Sequence, residues 1–338
     1  MPRKINGAVI GYGPSYNMGR LHLLAMERAG MMPYAVVARS AAHRRAAALD
    51  FPAIKIYANA EEMLAESDAD LVIVNTPHSS HASLALQCIE AGRNVVCEKP
   101  FAITTQECDA IIAAASAKNV MVSAFHNRHW DGSILKALDV IRGGVIGDVL
   151  HVACHMGKYA QPDDNWRSSK SISGGILYDW GVHLLEYGLQ LINAEIIEVT
   201  GFASHGVWAK QTKWQADTIE DDSFALVRFK NGASLTLSIS NIDAQPQRGM
   251  VNVTGTKGTF WWDGENHEIT IVGEHGVTTT RDKNPPDQWG NYYANIAAHL
   301  SNHAPLIITP EWARRPVHIL DLAHRSALVG HSLKAQYQ

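Results

Sequence analysis

Between Ile5 and Phe125 short β-branched runs alternate with amphipathic helical segments. Strands separated by helix-length crossovers pair in parallel and need helices on both faces, so this alternation limits the fold more than any other feature of the chain. The expected strands are Ile5–Ile10, Tyr34–Ala38, Ile54–Tyr57, Leu71–Asn75, Asn94–Cys97 and Val120–Phe125. Between them, Leu21–Ala29 and Ser79–Ala91 carry apolar residues at helical spacing, with Leu84, Leu86 and Ile89 on one broad face. The expectation is an α/β fold that begins with a doubly wound parallel sheet of the Rossmann kind.

After Phe125 the texture changes. One helical stretch (Ile134–Ile141) and a Gly-rich turn (Gly143–Gly147) lead into strand-like runs at Val149–Met156, Ile196–His205, Ser223–Lys230, Ala233–Asn241, Gly249–Gly255 and Glu268–Val272. Asn231-Gly232 between two of these runs is a hairpin signal, since that dipeptide tolerates the positive φ of a tight turn. A second α/β domain with a large, open, mostly antiparallel sheet and helices on one face is expected. At 338 residues the chain exceeds what one core organises. The change of texture divides it into a dinucleotide-binding domain, 1–125, and a substrate-binding and oligomerisation domain, 126–338.

Composition excludes several classes of partner. With 29 Lys and Arg against 33 Asp and Glu, the chain has no basic footprint for nucleic acid or an anionic membrane. The apolar run at Met1–Ile10 stops at Gly11, too early for a secretory leader or a span, so a cytoplasmic location is expected. Cys88, Cys97, Cys108 and Cys154 form no C-x-x-C pair and read as reduced, buried thiols.

The first strand runs into Gly11-Tyr12-Gly13-Pro14, and Met18-Gly19-Arg20-Leu21-His22 opens a helix. Glycines that let backbone approach a pyrophosphate, followed by a helix N-terminus, suit a phosphate cradle. The spacing departs from G-x-G-x-x-G, because Tyr16 stands where the third glycine is due and Gly19 follows three residues late. At the end of the second strand, where Asp or Glu would bind ribose hydroxyls, the chain has Ala38-Arg39-Ser40 and then His43-Arg44-Arg45. Arg39, Ser40 and Arg44 suit a 2′-phosphate, which favours NADP over NAD. Asn75-Thr76-Pro77-His78 with His81, and Glu98-Lys99-Pro100, follow the fourth and fifth strands, at carboxyl ends where open α/β sheets bind ligands. There the Lys99 ammonium could hydrogen-bond a carbinol oxygen and hold or move its proton.

In the second half, Asn165-Trp166-Arg167 precedes Ser173-Gly174-Gly175 and Tyr178-Asp179-Trp180-Gly181-Val182-His183. If 178–191 is helical, Asp179 and His183 lie four apart on one face, where a carboxylate can orient an imidazole for acid–base work near neutral pH.

These blocks resemble the glucose-fructose oxidoreductase and inositol dehydrogenase family, Gfo/Idh/MocA. The resemblance rests on Thr76-Pro77 with His81, Ala91 through Pro100, Trp166-Arg167, and Gly174-Gly175 through Asp179 to His183. Asp221-Asp222, Asn231-Gly232 and Thr309-Pro310-Glu311 add to it. It implies hydride transfer between NAD(P) and a hydroxyl or keto carbon of a sugar, sugar derivative or cyclitol. Lys99 then resembles the catalytic lysine, His183 the acid–base histidine and Asp179 the acid that orients substrate or histidine. It places Trp166 and Arg167 near the nicotinamide end and adds Asn127 to the cofactor-binding set. It also implies a homodimer or homotetramer through the C-terminal sheet. A glycoside hydrolase that uses a retained NAD through transient oxidation would use similar residues, whereas the other alternative, a non-catalytic NADP-binding regulator, would need none of Lys99, Asp179 and His183.

The pairs His78/His81, His126/His129 and His151/His155 have no nearby Cys or carboxylate pattern, so no metal is expected. Trp130, Trp180, Trp208, Trp214 and Trp289 could offer apolar faces to a sugar ring or pack in cores and interfaces.

Overall fold

The computed structural model describes residues 4–13 and 17–336. Contacts divide the chain into two compact units, Met1–Asn127 with Gly290–Arg314, and Arg128–Trp289 with Arg315–Gln338.

The first unit alternates strand and helix: β1 (Asn6–Ile10), α1 (Met18–Arg28), β2 (Met32–Val37), α2 (Ala41–Asp50), β3 (Lys55–Tyr57), α3 (Ala60–Glu66), β4 (Leu71–Val74), α4 (His81–Glu90), β5 (Asn94–Cys97), α5 (Thr105–Lys118) and β6 (Val122–Ala124). All six strands are parallel, in the order β3-β2-β1-β4-β5-β6. The order reverses between β1 and β4, the place where a doubly wound sheet opens a ligand crevice at its strand carboxyl ends. β1 and β4 are buried along their whole lengths, as continuous apolar runs covered on both faces must be. Some helix starts in this unit carry side-chain caps. Asn59 caps α3, and Thr104 with Glu107 forms a reciprocal capping box on α5.

The second unit begins with α6 (Gly132–Arg142), β7 (Val149–Gly157), α7 (Lys170–Ser173), α8 (Ile176–Asp179) and α9 (Gly181–Leu191). It continues through β8 (Ile196–Ser204), β9 (Asp222–Phe229), β10 (Ser234–Ser240), β11 (Val251–Gly255), β12 (Gly258–Trp262), β13 (Asn266–Gly273) and β14 (Gly276–Lys283). Helices α10 (Gly290–Asn302) and α11 (Pro310–Val329) and the short β15 (Leu333–Lys334) complete the chain. The nine-stranded sheet runs β14-β13-β12-β11-β7-β10-β9-β8-β15, antiparallel except for β7 with β10. Helix α9 lies close on this sheet, since a Cβ on Gly188 would come within 1.9 Å of Leu235. Helix α11 lies equally close on β8, where a Cβ on Gly201 would meet the Ala323 carbonyl at 1.9 Å. The hairpin between β9 and β10 has Gly232 at φ +87°, and Asn231 keeps a negative φ and accepts the Ala233 N–H with its side chain, at 3.1 Å. The turn is therefore a three-residue loop with glycine in the left-handed position.

Two features differ from the sequence expectation. Residues 290–314 belong with the first unit, although they follow the change of texture by more than a hundred residues. Ser123 at β6 explains the association, because its hydroxyl meets Tyr292 Oη at 2.9 Å and donates to the Ile308 carbonyl at 2.8 Å. Strands β12, β14 and β15 were not expected. β14 is exposed at every position and has no apolar alternation to announce it.

Candidate active site

In the first unit the cradle is built by close backbone approach. Gly11 has φ +107°, and a Cβ there would lie 1.8 Å from the Asn75 carbonyl oxygen. Asn75 Nδ2 in turn donates to the Gly11 carbonyl at 3.1 Å, so the ends of β1 and β4 are tied together. A Cβ on Gly13 would stand 2.9 Å from the His43 ring. On Gly19 it would stand 2.6 Å from the Gly11 carbonyl. Gly19 thus performs the close helix–strand packing expected of a third glycine, despite its late position. Pro14 and Tyr16 lie outside the described residues. Met18 is half-buried in the first turn of α1, whose N-cap residue Asn17 makes no side-chain cap bond.

Several residues expected to touch the cofactor have other employment. Tyr12 is buried and donates its hydroxyl to Asp50, and burial together with that carboxylate pushes the phenol's pKa up, so Tyr12 anchors the end of α2. Ser40 caps α2 by accepting the His43 N–H at 3.1 Å, and Arg44 donates to the carbonyls of Ala38 and Arg39 at 2.9 and 2.6 Å. Arg44 therefore braces the turn after β2, and Arg39 stays exposed beside it. His43, against Gly13, carries no motif signal and was not expected at the cradle.

Past β4, Ser80 donates to Thr76 Oγ1 at 2.7 Å, Pro77 is exposed, and His78 is buried with its ring 5.6 Å from that of His81. His81 is fully buried, with Nδ1 2.8 Å from the Pro100 carbonyl and Nε2 2.8 Å from the Thr76 carbonyl. Burial lowers its proton affinity more than the two carbonyls raise it, and a neutral ring donates to one of them. His81 thus joins the loops after β4 and β5. Glu98 is likewise turned inward, with Oε1 3.1 Å from His22 Nε2 and Oε2 accepting the Lys99 N–H at 2.9 Å. Burial alone would raise its pKa, but the His22 hydrogen bond and the nearby Lys99 charge hold it below the usual carboxylate value. Lys99 follows, half-buried at the carboxyl end of β5. Asn127, also half-buried, ends the first unit's N-terminal segment.

In the second unit, Trp166 and Arg167 open a single 3-10 turn capped by Asn165, and the Arg167 guanidinium stacks 4.4 Å over the Trp166 ring. Arg167 Nε lies 3.5 Å from Asp179 Oδ2. The helix expected over 178–191 is divided at Trp180, with Asp179 closing α8 and His183 in the first turn of α9. Trp180 makes an edge contact with the His183 ring at 5.7 Å. The Arg128 guanidinium sits 4.8 Å from the Trp180 ring and 5.6 Å from that of Trp289, and donates to Asp131 at 3.0 Å.

The Gly174-Gly175 pair has φ of +94° and +125°, and a Cβ on Gly175 would lie 2.6 Å from a Glu220 carboxylate oxygen. Glu220 accepts the Ile176 N–H at 2.8 Å and pairs with Lys170 at 2.9 Å, holding the start of α8. Gly175 admits that carboxylate and Gly174 the Tyr178 ring, whose nearest atom a Cβ would meet at 2.8 Å, roles that their sequence neighbours do not reveal.

Residues 5–126 match the model of the oxidoreductase family with an NAD-binding Rossmann fold, and residues 134–261 match the Gfo/Idh/MocA C-terminal domain. An uncharacterized oxidoreductase of Schizosaccharomyces pombe, C115.03, is 30% identical over 82% of this chain and 77% of its own. The chain belongs to the Gfo/Idh/MocA family.

A second relative, the scyllo-inositol 2-dehydrogenase (NADP(+)) IolW of Bacillus subtilis, is 30% identical over 55% of this chain and 51% of its own. The crystal structure of an NAD-binding protein from Listeria innocua superposes with a TM-score of 0.83 at 26% identity, covering 98% of this chain and 97% of that one. Three of the first four curated relatives are matched over 46%, 61% and 51% of their own lengths. The matched N-terminal model is that of an NAD-binding Rossmann fold, and the close backbone approach that Gly11 and Gly19 permit fits the phosphate cradle of such a fold. Among the described residues, no helix is long and apolar enough to cross a membrane.

Proposed function

We propose that this Gfo/Idh/MocA chain is an NADP-preferring dehydrogenase or reductase, which transfers a hydride between nicotinamide and a hydroxyl or keto carbon of a sugar, sugar derivative or cyclitol. The observation that carries the reading is Lys99, at the carboxyl end of β5, on the same sheet edge as the Gly11–Gly19 cradle and the β1/β4 switch point. The cofactor, when bound, supplies the hydride exchange. Lys99 donates a hydrogen bond to the reacting oxygen and moves its proton, and His183 serves as acid–base with Asp179 fixing local orientation through Arg167. Gly11, Gly13, Met18, Gly19, Asn75, Thr76, Pro77 and Asn127 are the proposed cofactor contacts, together with Trp166 and Arg167. Exposed Arg39 and the Ser40 hydroxyl suit a 2′-phosphate. IolW, whose name gives a cyclitol and NADP(+), supports both choices. The sheet face away from α9 and α11 leaves Phe202 62% exposed, and we assign that face to a second copy of the chain.

The test strips the protein of nucleotide and follows nicotinamide absorbance with NADP and then NAD against cyclitols, sugars, keto sugars and aryl glycosides, with light scattering for the oligomer. Turnover of a polyol or keto sugar, reduced by on the order of 10²–10⁴-fold in Lys99→Ala, is expected. Equal or better use of NAD overturns the NADP preference. Glycoside cleavage with no net absorbance change overturns the dehydrogenase.

A further inference from the structure

Behind Lys99 lies a buried chain of polar groups that the proton transfer itself does not use. Tyr293, on α10 and 1% exposed, has its hydroxyl 2.7 Å from His22 Nδ1. His22, on α1 and also 1% exposed, places Nε2 3.1 Å from Glu98 Oε1. Glu98 Oε2 accepts the backbone N–H of Lys99 at 2.9 Å. One set of proton positions satisfies every member: the phenol donates to Nδ1, Nε2–H donates to one carboxylate oxygen, and the amide donates to the other. Phe125 closes the flank, its ring 4.4 Å from His22 and 5.7 Å from Tyr293.

We propose that Tyr293, His22 and Glu98 are positioning residues for Lys99: they hold the backbone of the proton-transferring lysine through the Glu98 carboxylate. The inference rests on the reading of Lys99 given above. An ionised carboxylate removed from water is costly, and an apolar side chain of similar size would fill the same volume at less cost. Glu98 is 7% exposed, and each of its oxygens already accepts a hydrogen bond from the protein. Its remaining effect is on where Lys99 sits, and misplacement of a reacting group by about 1 Å can cost on the order of a hundredfold in rate. His22 sets the carboxylate, and Tyr293 fixes the tautomer of His22 by donating to Nδ1. Segment 290–314 thereby contributes to the lysine's placement from the far end of the sequence.

The experiment uses the full chain and whichever polyol or keto sugar the panel above identifies. It measures kcat, KM, the dissociation constant of NADPH by its fluorescence, and thermal unfolding for Glu98→Gln, His22→Gln, Tyr293→Phe and Lys99→Met. Glu98→Gln is expected to lower kcat on the order of a hundredfold, with NADPH affinity unchanged. Tyr293→Phe, which removes one oxygen and is the variant least prone to misfold, is expected to lower kcat less but in the same sense. A loss of NADPH affinity with kcat intact would make Glu98 a cofactor contact and overturn the proposal. So would loss of thermal stability with kcat intact, which would mark a purely structural chain. Lys99→Met separates the two readings: if it retains turnover, the role of Lys99 itself falls, whereas an inactive Lys99→Met beside a fully active Glu98→Gln removes only the positioning role.

Discussion

An added methyl group sorts the glycines of the first unit into those that make the cradle and those that only turn the chain. At Gly11 it would strike the Asn75 carbonyl from a backbone at φ +107°, and at Gly19 it would strike the Gly11 carbonyl, whereas at Gly30, φ +82°, nothing lies within 4 Å. Gly30→Ala should therefore cost only the left-handed strain, about 1–2 kcal/mol, and leave NADPH affinity alone. Gly11→Ala and Gly19→Ala should weaken NADPH binding at least about tenfold, because about 1.4 kcal/mol of misplaced backbone suffices. Fluorescence titration and thermal unfolding of the three variants check this, and equal affinities would remove the cradle. The sequence displayed these glycines, as it displayed Lys99 and Asp179, because motif spacing reports which residues share a loop. It could not report which way a side chain turns, so Glu98, His81 and Tyr12 read as ligand contacts while their side-chain polar atoms bond the protein's own backbone and side chains, as Nη1 of Arg44 also does.

At the scale of elements, α8 depends on Glu220 from the segment just before β9. Burial opposes the ionised form of this carboxylate, but the Ile176 N–H and Lys170 overcome it and hold its pKa below the ordinary value. A carboxylate with a depressed folded pKa adds stability that is complete above its unfolded value, about 4.3, and disappears as pH falls through the folded one. Glu220→Gln should thus be less stable than the parent by about 1–3 kcal/mol at pH 7, and the gap should close below about pH 4. Thermal unfolding across that range measures it, and a gap independent of pH would show that the charge contributes nothing. Strands with strong apolar runs, such as β4 and β5, were legible to within a residue, because burial on both faces writes itself into composition. β14, exposed throughout, left no such trace, and the division of the expected helix at Trp180 arises where the Gly174-Gly175 turn and Glu220 set the start of α8.

For the whole molecule, doubly wound order and an open antiparallel sheet followed from the two textures, but the membership of 290–314 did not, since it depends on Tyr292, Tyr293 and Ile308 meeting β6 and α1 across a long sequence separation. Residues 1–127 expressed alone would uncover the sites of Tyr292, Tyr293 and Ile296, each 1% exposed in the intact chain. That fragment should lack a cooperative thermal transition, and joining residues 290–314 to it through a flexible linker should restore one, as circular dichroism would record. A cooperative transition in the bare fragment would show that the returning segment is dispensable. During synthesis the same arrangement imposes an order of events: the nucleotide-binding unit, though translated first, reaches its finished core only after residue 314 has left the ribosome, when nearly all of the second unit is already outside. Completion of the cradle's foundation thus waits for residues 290–314 to emerge, and a nascent chain interrupted before α10 would hold a parallel sheet without the aromatic pair that closes it.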